Sequence, residues 1–254
     1  MTARFSPELL APRRSSQSSV ARAESASESI AHALPPSASC DVLPVLPVGA
    51  GTDGIASLAA DEDIYVPESY ESNYAYPLIV WLVPPEGAEL RLHRLMPMIS
   101  ERNYFGVAMP CRDVAEIEER LPLLFGRLRQ QYRLHTERVF LAGIGASGTD
   151  ALVTSLSHPH WFGGIAALSA RWPETPQLLR RFSELRGKRV FLGVDSGESA
   201  SVIADALYAQ QLLWSAGMQV SAFASPAGAD RLPSLLREID RWIMQTIEQP
   251  EMVC

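Results

Sequence analysis

The chain has 254 residues, 47% of them apolar and 20% charged, with a formal charge of −7 from 22 basic and 29 acidic side chains. That apolar share excludes a wholly disordered or collagen-like chain, and the acidic balance argues against attraction to nucleic-acid phosphates. No run reaches the ~18 consecutive apolar residues of a membrane-spanning helix, and three cysteines without motif spacing (Cys40, Cys111, Cys254) fit a reducing, cytoplasmic compartment.

Residues 1–57 read as a flexible arm and linker. Ser15, Ser16, Ser18, Ser19, Ser25, Ser27 and Ser29 crowd one stretch, then Pro35, Pro36, Pro44 and Pro47, then Gly49, Gly51 and Gly54. Such a composition offers little to fill a core. No apolar segment follows Arg4 to make a secretory signal, and Glu8, Glu24 and Glu28 weigh against a transit peptide.

Residues 58–254 read as one α/β domain. Apolar, β-rich runs are expected as strands at 64–66, 78–83, 105–109, 139–142, 164–168, 190–194 and 220–224. Helical patterns lie between them, at 89–100, 113–131, 147–157, 177–185, 201–216 and 231–249. In the second helix, Val114, Ile117, Leu121, Leu124, Phe125 and Leu128 recur at three and four residues. Gly217 is expected to stop the helix before it. Strands joined through helices imply right-handed crossovers and a mostly parallel sheet, of seven or eight strands, covered on both faces. The fold class expected is therefore a three-layer α/β sandwich.

The stretch Arg138-Val-Phe-Leu-Ala-Gly143-Ile-Gly145-Ala-Ser147-Gly148-Thr149 carries the most information. It reads as a strand, a turn of small residues and a helix. Gly143, Gly145 and Gly148 satisfy G-x-G-x-x-G, so amides at the helix start would hold a pyrophosphate, with Arg171 beyond the next strand facing a 2′-phosphate. Against this, two strand–helix units precede the motif, and Lys188 is the only lysine, so neither GK[ST] nor Tyr-x-x-x-Lys occurs. The second reading is a nucleophile elbow, G-x-S-x-G. Centred on Gly145, it has small residues two before (Gly143) and two after (Ser147), but glycine in place of the serine. Centred on Ser147, it requires the strand to run two residues longer.

Several segments together resemble the phospholipase/carboxylesterase group of the α/β-hydrolase superfamily. They are Tyr65-Val-Pro-Glu-Ser-Tyr, Tyr76-Pro-Leu-Ile-Val-Trp-Leu, the elbow stretch, Phe162-Gly-Gly-Ile-Ala-Ala-Leu-Ser, Val190-Phe-Leu-Gly and Asp240-Arg-Trp-Ile-Met. The resemblance implies an α/β-hydrolase-like fold over about 60–248, and it assigns positions to the catalytic parts. Where such proteins have a His-Gly-Gly type oxyanion loop, this chain has Val83-Pro84-Pro85-Glu86. Proline lacks the N–H donor. The nucleophile position is Gly145. The acid position falls on Glu198, with Asp195 as the off-register alternative, or the loop is simply an acidic one whose Ser199 or Ser201 caps the next helix. The base position falls on Ala229, and no histidine follows His160.

Other side chains could stand in for the missing groups. Cys111 follows the third strand, with Arg112 and Asp113 beside it and His93 on the preceding helix, yet a passive reduced thiol is the simpler reading. His158 and His160 enter a strand from the edge opposite the expected site and lack further ligands for a metal. His135 is read as a surface residue ahead of a strand. The five tryptophans are read as core or rim packing.

The expectation is thus an esterase/phospholipase-like α/β-hydrolase-fold protein that has lost serine-hydrolase activity. It would act by binding a small acyl-like ligand or a protein partner, with no cofactor and no metal. Two alternatives stand beside it: an active ester hydrolase with a displaced nucleophile, Ser147 or Cys111, and nucleotide binding through Gly143, Gly145 and Gly148.

Overall fold

The structure, a computed structural model, describes residues 63–85, 92–173, 182–226 and 231–248. The expected arm (1–57), Glu86 and Ala229 lie outside the described residues.

Seven strands form one sheet: β1 (Asp63–Tyr65), β2 (Tyr76–Val83), β3 (Phe105–Pro110), β4 (Leu134–Ile144), β5 (Gly164–Leu168), β6 (Arg189–Asp195) and β7 (Gln219–Ser225). The helices are α1 (Leu92–Ile99), α2 (Val114–Gln131), α3 (Ala146–Ser157), α4 (Phe182–Leu185), α5 (Ala200–Ser215) and α6 (Arg231–Glu248). The order across the sheet is β1-β3-β2-β4-β5-β6-β7. All neighbours are parallel except β1, which pairs antiparallel with β3, Ile64 opposite Val107.

The buried side chains show why these segments are strands. Along β2, Leu78, Val80 and Leu82 enter one core, while Ile79, Trp81 and Val83 enter the other. A strand buried on both faces needs apolar residues at every position, and β2 is buried throughout. The chain moves from β2 to β3 in one direction, then returns past β2 to β4 and continues to β7. Right-handed crossovers travelling in opposite directions put their helices on opposite faces. Accordingly, α1 and α6 close one core with Leu92, Met96, Leu236 and Ile243. The other core is closed by α2, α3 and α5 through Leu121, Leu124, Leu152 and Leu213.

Local signals act where expected. Asp113 caps α2, its Oδ1 accepting from Glu116 N at 2.9 Å. Ser199 caps α5 by accepting from Val202 N, and Gly217, at φ +81°, ends that segment. Two readings need correction. β4 starts at Leu134, so His135 is a partly buried strand residue and not a surface residue ahead of a strand. Trp214 is neither core nor rim: it is 73% exposed on α5.

The chain reverses direction at β2, so the topological switch point lies between the carboxyl ends of β2 and β4. Open α/β sheets place their ligands at such a point.

Candidate active site

The elbow is built from close packing. β4 ends at Ile144 and α3 begins at Ala146, leaving Gly145 alone at the apex with φ 62° and ψ −123°. That backbone conformation is one that only glycine adopts without strain. A Cβ on Gly143 would lie 2.3 Å from the Ser147 carbonyl oxygen. A Cβ on Gly148 would lie 2.9 Å from the Gly143 oxygen and 3.0 Å from Ala170 Cβ. Both glycines therefore serve the tight approach of α3 to the sheet. Gly145 N donates to Leu168 O at 2.8 Å, and Thr149 N donates to Gly145 O at 3.1 Å. Thr149 Oγ1 also accepts from Arg171 N at 3.1 Å and lies 3.0 Å from Arg171 O, tying the first turn of α3 to the loop after β5.

The apex itself is open. A Cβ on Gly145 would meet nothing within 4 Å. The apex is thus accessible, and its side chain is a hydrogen atom. The elbow frame centred on Ser147 is corrected: the strand stops three residues before it, and Ser147 is in the first turn of α3, only 6% exposed. A serine there lies inside the helix packing and does not crown the turn.

Facing the elbow is the end of β2. Leu82, two residues before Pro84, pairs with Gly143, two residues before Gly145. The Val83 carbonyl is taken by Cys111 N at 3.0 Å. Pro84 and Pro85 are exposed and carry no N–H, so this loop supplies no donor at those two positions. The amides of Ala146, Ser147 and Gly148, at the start of α3, have no intrahelical acceptor.

Asp195 ends β6. Its Oδ1 accepts from Gly197 N at 2.8 Å and its Oδ2 from Arg231 Nη1 at 2.9 Å. The Gly197 amide first, and Arg231 second, hold this carboxyl below the ordinary aspartate range. Glu198 is partly buried on the same loop, its N–H bonded to Asp195 O at 3.0 Å. Arg231, the first residue of α6, was not singled out from the sequence; its only signal there was its place just after the Gly228-Ala229 segment. Arg171, expected to face a phosphate, instead donates from Nη2 to Ser201 Oγ at 3.1 Å.

The substitute groups do not converge. Cys111 is buried beside the α2 core, and burial pushes its thiol up to about 12, outweighing the Arg120 guanidinium; Glu116, Asp150 and Asp113 add to the rise. His93, on α1, belongs to the opposite face of the sheet and lies 3.5 Å from Asp63, so it is not a base for Cys111. His158 Nε2 is 3.0 Å from Glu118 and its ring stacks on Trp161. His160 lies 3.4 Å from Glu184. Among the described residues, no three histidine, cysteine or acidic side chains gather in a way that would hold a metal.

No family model matches the chain, and no curated protein matches it in sequence. Solved structures do match in shape. A thermostable esterase superposes with a TM-score of 0.56 at 11% identity, covering 72% of this chain and 58% of its own. A ferulic acid esterase gives 0.56 at 14% identity, covering 73% and 92%. A carboxylesterase from Bacillus cereus gives 0.55 at 13%, covering 76% and 98%. The fold is that of the α/β-hydrolases. This chain spans little more than half the length of the thermostable esterase and nearly all of the Bacillus cereus enzyme. Among the described residues, no helix is long and apolar enough to cross a membrane.

Proposed function

We propose that this α/β-hydrolase-fold chain does not hydrolyse esters by serine chemistry. It uses the emptied elbow crevice to bind a small acyl-like ligand. One observation carries the reading: the apex, at positive φ, stands open, and its residue is Gly145. Three further features support it. No histidine occurs after His160 to serve as base, Pro84 and Pro85 offer no oxyanion donors, and Asp195 is engaged by Arg231. Removing one oxyanion donor alone costs roughly 10²–10³ in turnover, and groups of a catalytic triad act as a unit.

A displaced nucleophile is less well supported. Ser147 is nearly buried in α3, and the Cys111 thiol is held in its neutral form by burial. Nucleotide binding has no observation of its own, since Gly143 and Gly148 are explained by packing and the Gly145 amide is bonded to Leu168.

What the crevice offers a ligand is chemically simple. The start of α3, where Ala146 is exposed, would receive a carbonyl or carboxylate oxygen, and the space in front of Gly145 would receive the adjoining carbon. The test is to titrate the full chain with butyrate, octanoate and methyl octanoate by calorimetry while assaying p-nitrophenyl butyrate turnover. Saturable binding of one of these ligands without turnover is expected. Turnover abolished by Ser147→Ala or Cys111→Ala would replace this reading with the displaced-nucleophile one. Gly145→Ser combined with Ala229→His should still give no turnover, because the two prolines remain.

A further inference from the structure

A small opening lies at the amino ends of the strands, across the sheet from the Gly145 turn. It sits where β5 starts at Gly164 and β6 starts at Arg189, on the face covered by α2, α3 and α5. One wall is the end of α3 and the turn after it, with Ser155 and Phe162. The other is the segment after α4, with Leu185 and Lys188. Ile165 and Met218 complete the apolar lining. The opening encloses about 220 Å³, part of it reaching solvent. His160 Nε2 lies 3.4 Å from Glu184 Oε2, a side-chain contact that joins the turn after α3 to α4.

Two polar groups here lack the partners such groups ordinarily have. Ser155 is only 2% exposed, and its Oγ has no hydrogen-bond partner. A helical serine commonly turns its hydroxyl to the carbonyl four residues back, and a buried hydroxyl left unpaired costs free energy. Lys188 is the only lysine in the chain, and it is half-buried. Among the described residues, no side chain pairs with its ammonium. Its neighbour Arg189 is engaged by contrast, Nε donating to Gln219 Oε1 at 3.1 Å. Among the described residues, no carboxylate lines the opening, although the chain as a whole carries −7. A cation and a hydroxyl donor set in apolar walls suit a small anion with an apolar body.

We propose that this opening binds a short-chain carboxylate of about the size of propionate. The Lys188 ammonium neutralises the carboxylate, the Ser155 hydroxyl donates to one of its oxygens, and the hydrocarbon end rests on Phe162, Ile165, Leu185 and Met218. Charge and size select this class. An inorganic phosphate would bring more negative charge than one lysine answers and would leave the apolar walls unused. A long acyl chain needs more room, since pockets for drug-sized ligands run from roughly 300 to 1,000 Å³. The site is separate from the Gly145 turn at the other edge and stands or falls without it.

The single lysine makes the test clean. Reductive methylation of the full chain with isotope-labelled formaldehyde places an NMR probe on Lys188 and on the α-amine alone, and it keeps the charge. Propionate should shift the Lys188 signal saturably, and sodium chloride at the same ionic strength should not. Ser155→Ala should weaken propionate binding by roughly tenfold or more, the loss of a hydrogen bond to a charged group, with the far-ultraviolet circular dichroism unchanged. By calorimetry on the unlabelled chain, Lys188→Gln should lose propionate binding. An equal shift with chloride, or one that grows without saturating, would overturn the proposal. Unchanged affinity in either variant would overturn it as well. Propionate taken up only at the Gly145 turn would leave the Lys188 signal in place, which would overturn this site and spare the elbow reading.

Discussion

Two turns on the same edge of the sheet have been treated in opposite ways. The β4–α3 turn, which we propose is a nucleophile elbow, bends at Gly145 and carries no side chain at its apex. The loop after β6 has carboxylates, Asp195 and Glu198, but the first is bound to Arg231 and no histidine stands nearby in sequence to use either. The difference shows that geometry and chemistry are held by different residues. The elbow persists because Gly143 and Gly148 let α3 close on the sheet, whatever occupies the apex. The reacting groups depend on single side chains that contribute nothing to that closure.

The comparison is broken most severely by filling the packed side of the elbow. Gly143→Ala forces a methyl group against the Ser147 backbone, which has no flexible end to yield. Unfolding in urea should show a loss of about 3 kcal/mol. Gly145→Ala should cost less, about 1–3 kcal/mol, because the penalty is backbone conformation alone and the methyl group meets open space. Equal losses for the two variants would mean that the apex is not open.

The acid loop gives a smaller, pH-dependent effect. Asp195 is held below its ordinary value of 3.8 by the Gly197 amide and then by Arg231. A carboxyl lowered in the folded state contributes stability that is fully present above the unfolded value and is lost as pH falls through the folded one. The melting temperature of the wild type should therefore exceed that of Asp195→Asn at neutral pH, with the gap closing as pH drops below about 4. A gap that widens in acid would contradict the ion-pair assignment.

Smallest of all is the expected response of Cys111. In a Cys40→Ala, Cys254→Ala background, the remaining thiol, pushed up to about 12 by burial, should resist iodoacetamide at pH 8 and react fully only in denaturant.

Much of this was legible in the chain itself. The near-continuous apolar strands and the three-and-four spacing of α2 specified a doubly covered sheet, and the small residues around Gly145 marked a tight turn. The frame of that turn was not legible, because it depends on whether β4 stops at Ile144 or two residues on, and element boundaries follow from packing and not from periodicity. The separation of His93 from Cys111 was hidden for a related reason. Which sheet face a helix covers is set by the direction of its crossover. The exposure of Trp214 escaped notice because α5 is apolar nearly all round, so its pattern names no buried face. Arg231 had no motif to announce it, since its role comes from the meeting of β6 with the start of α6.

The central claim is that the elbow is intact and chemically empty. A fluorophosphonate probe incubated with the full chain, followed by intact-mass and peptide analysis, tests it most directly. The account predicts no adduct on any serine of residues 63–248 at a probe concentration that labels an active esterase completely. A stoichiometric adduct on Ser147, lost together with ester turnover in Ser147→Ala, would contradict it.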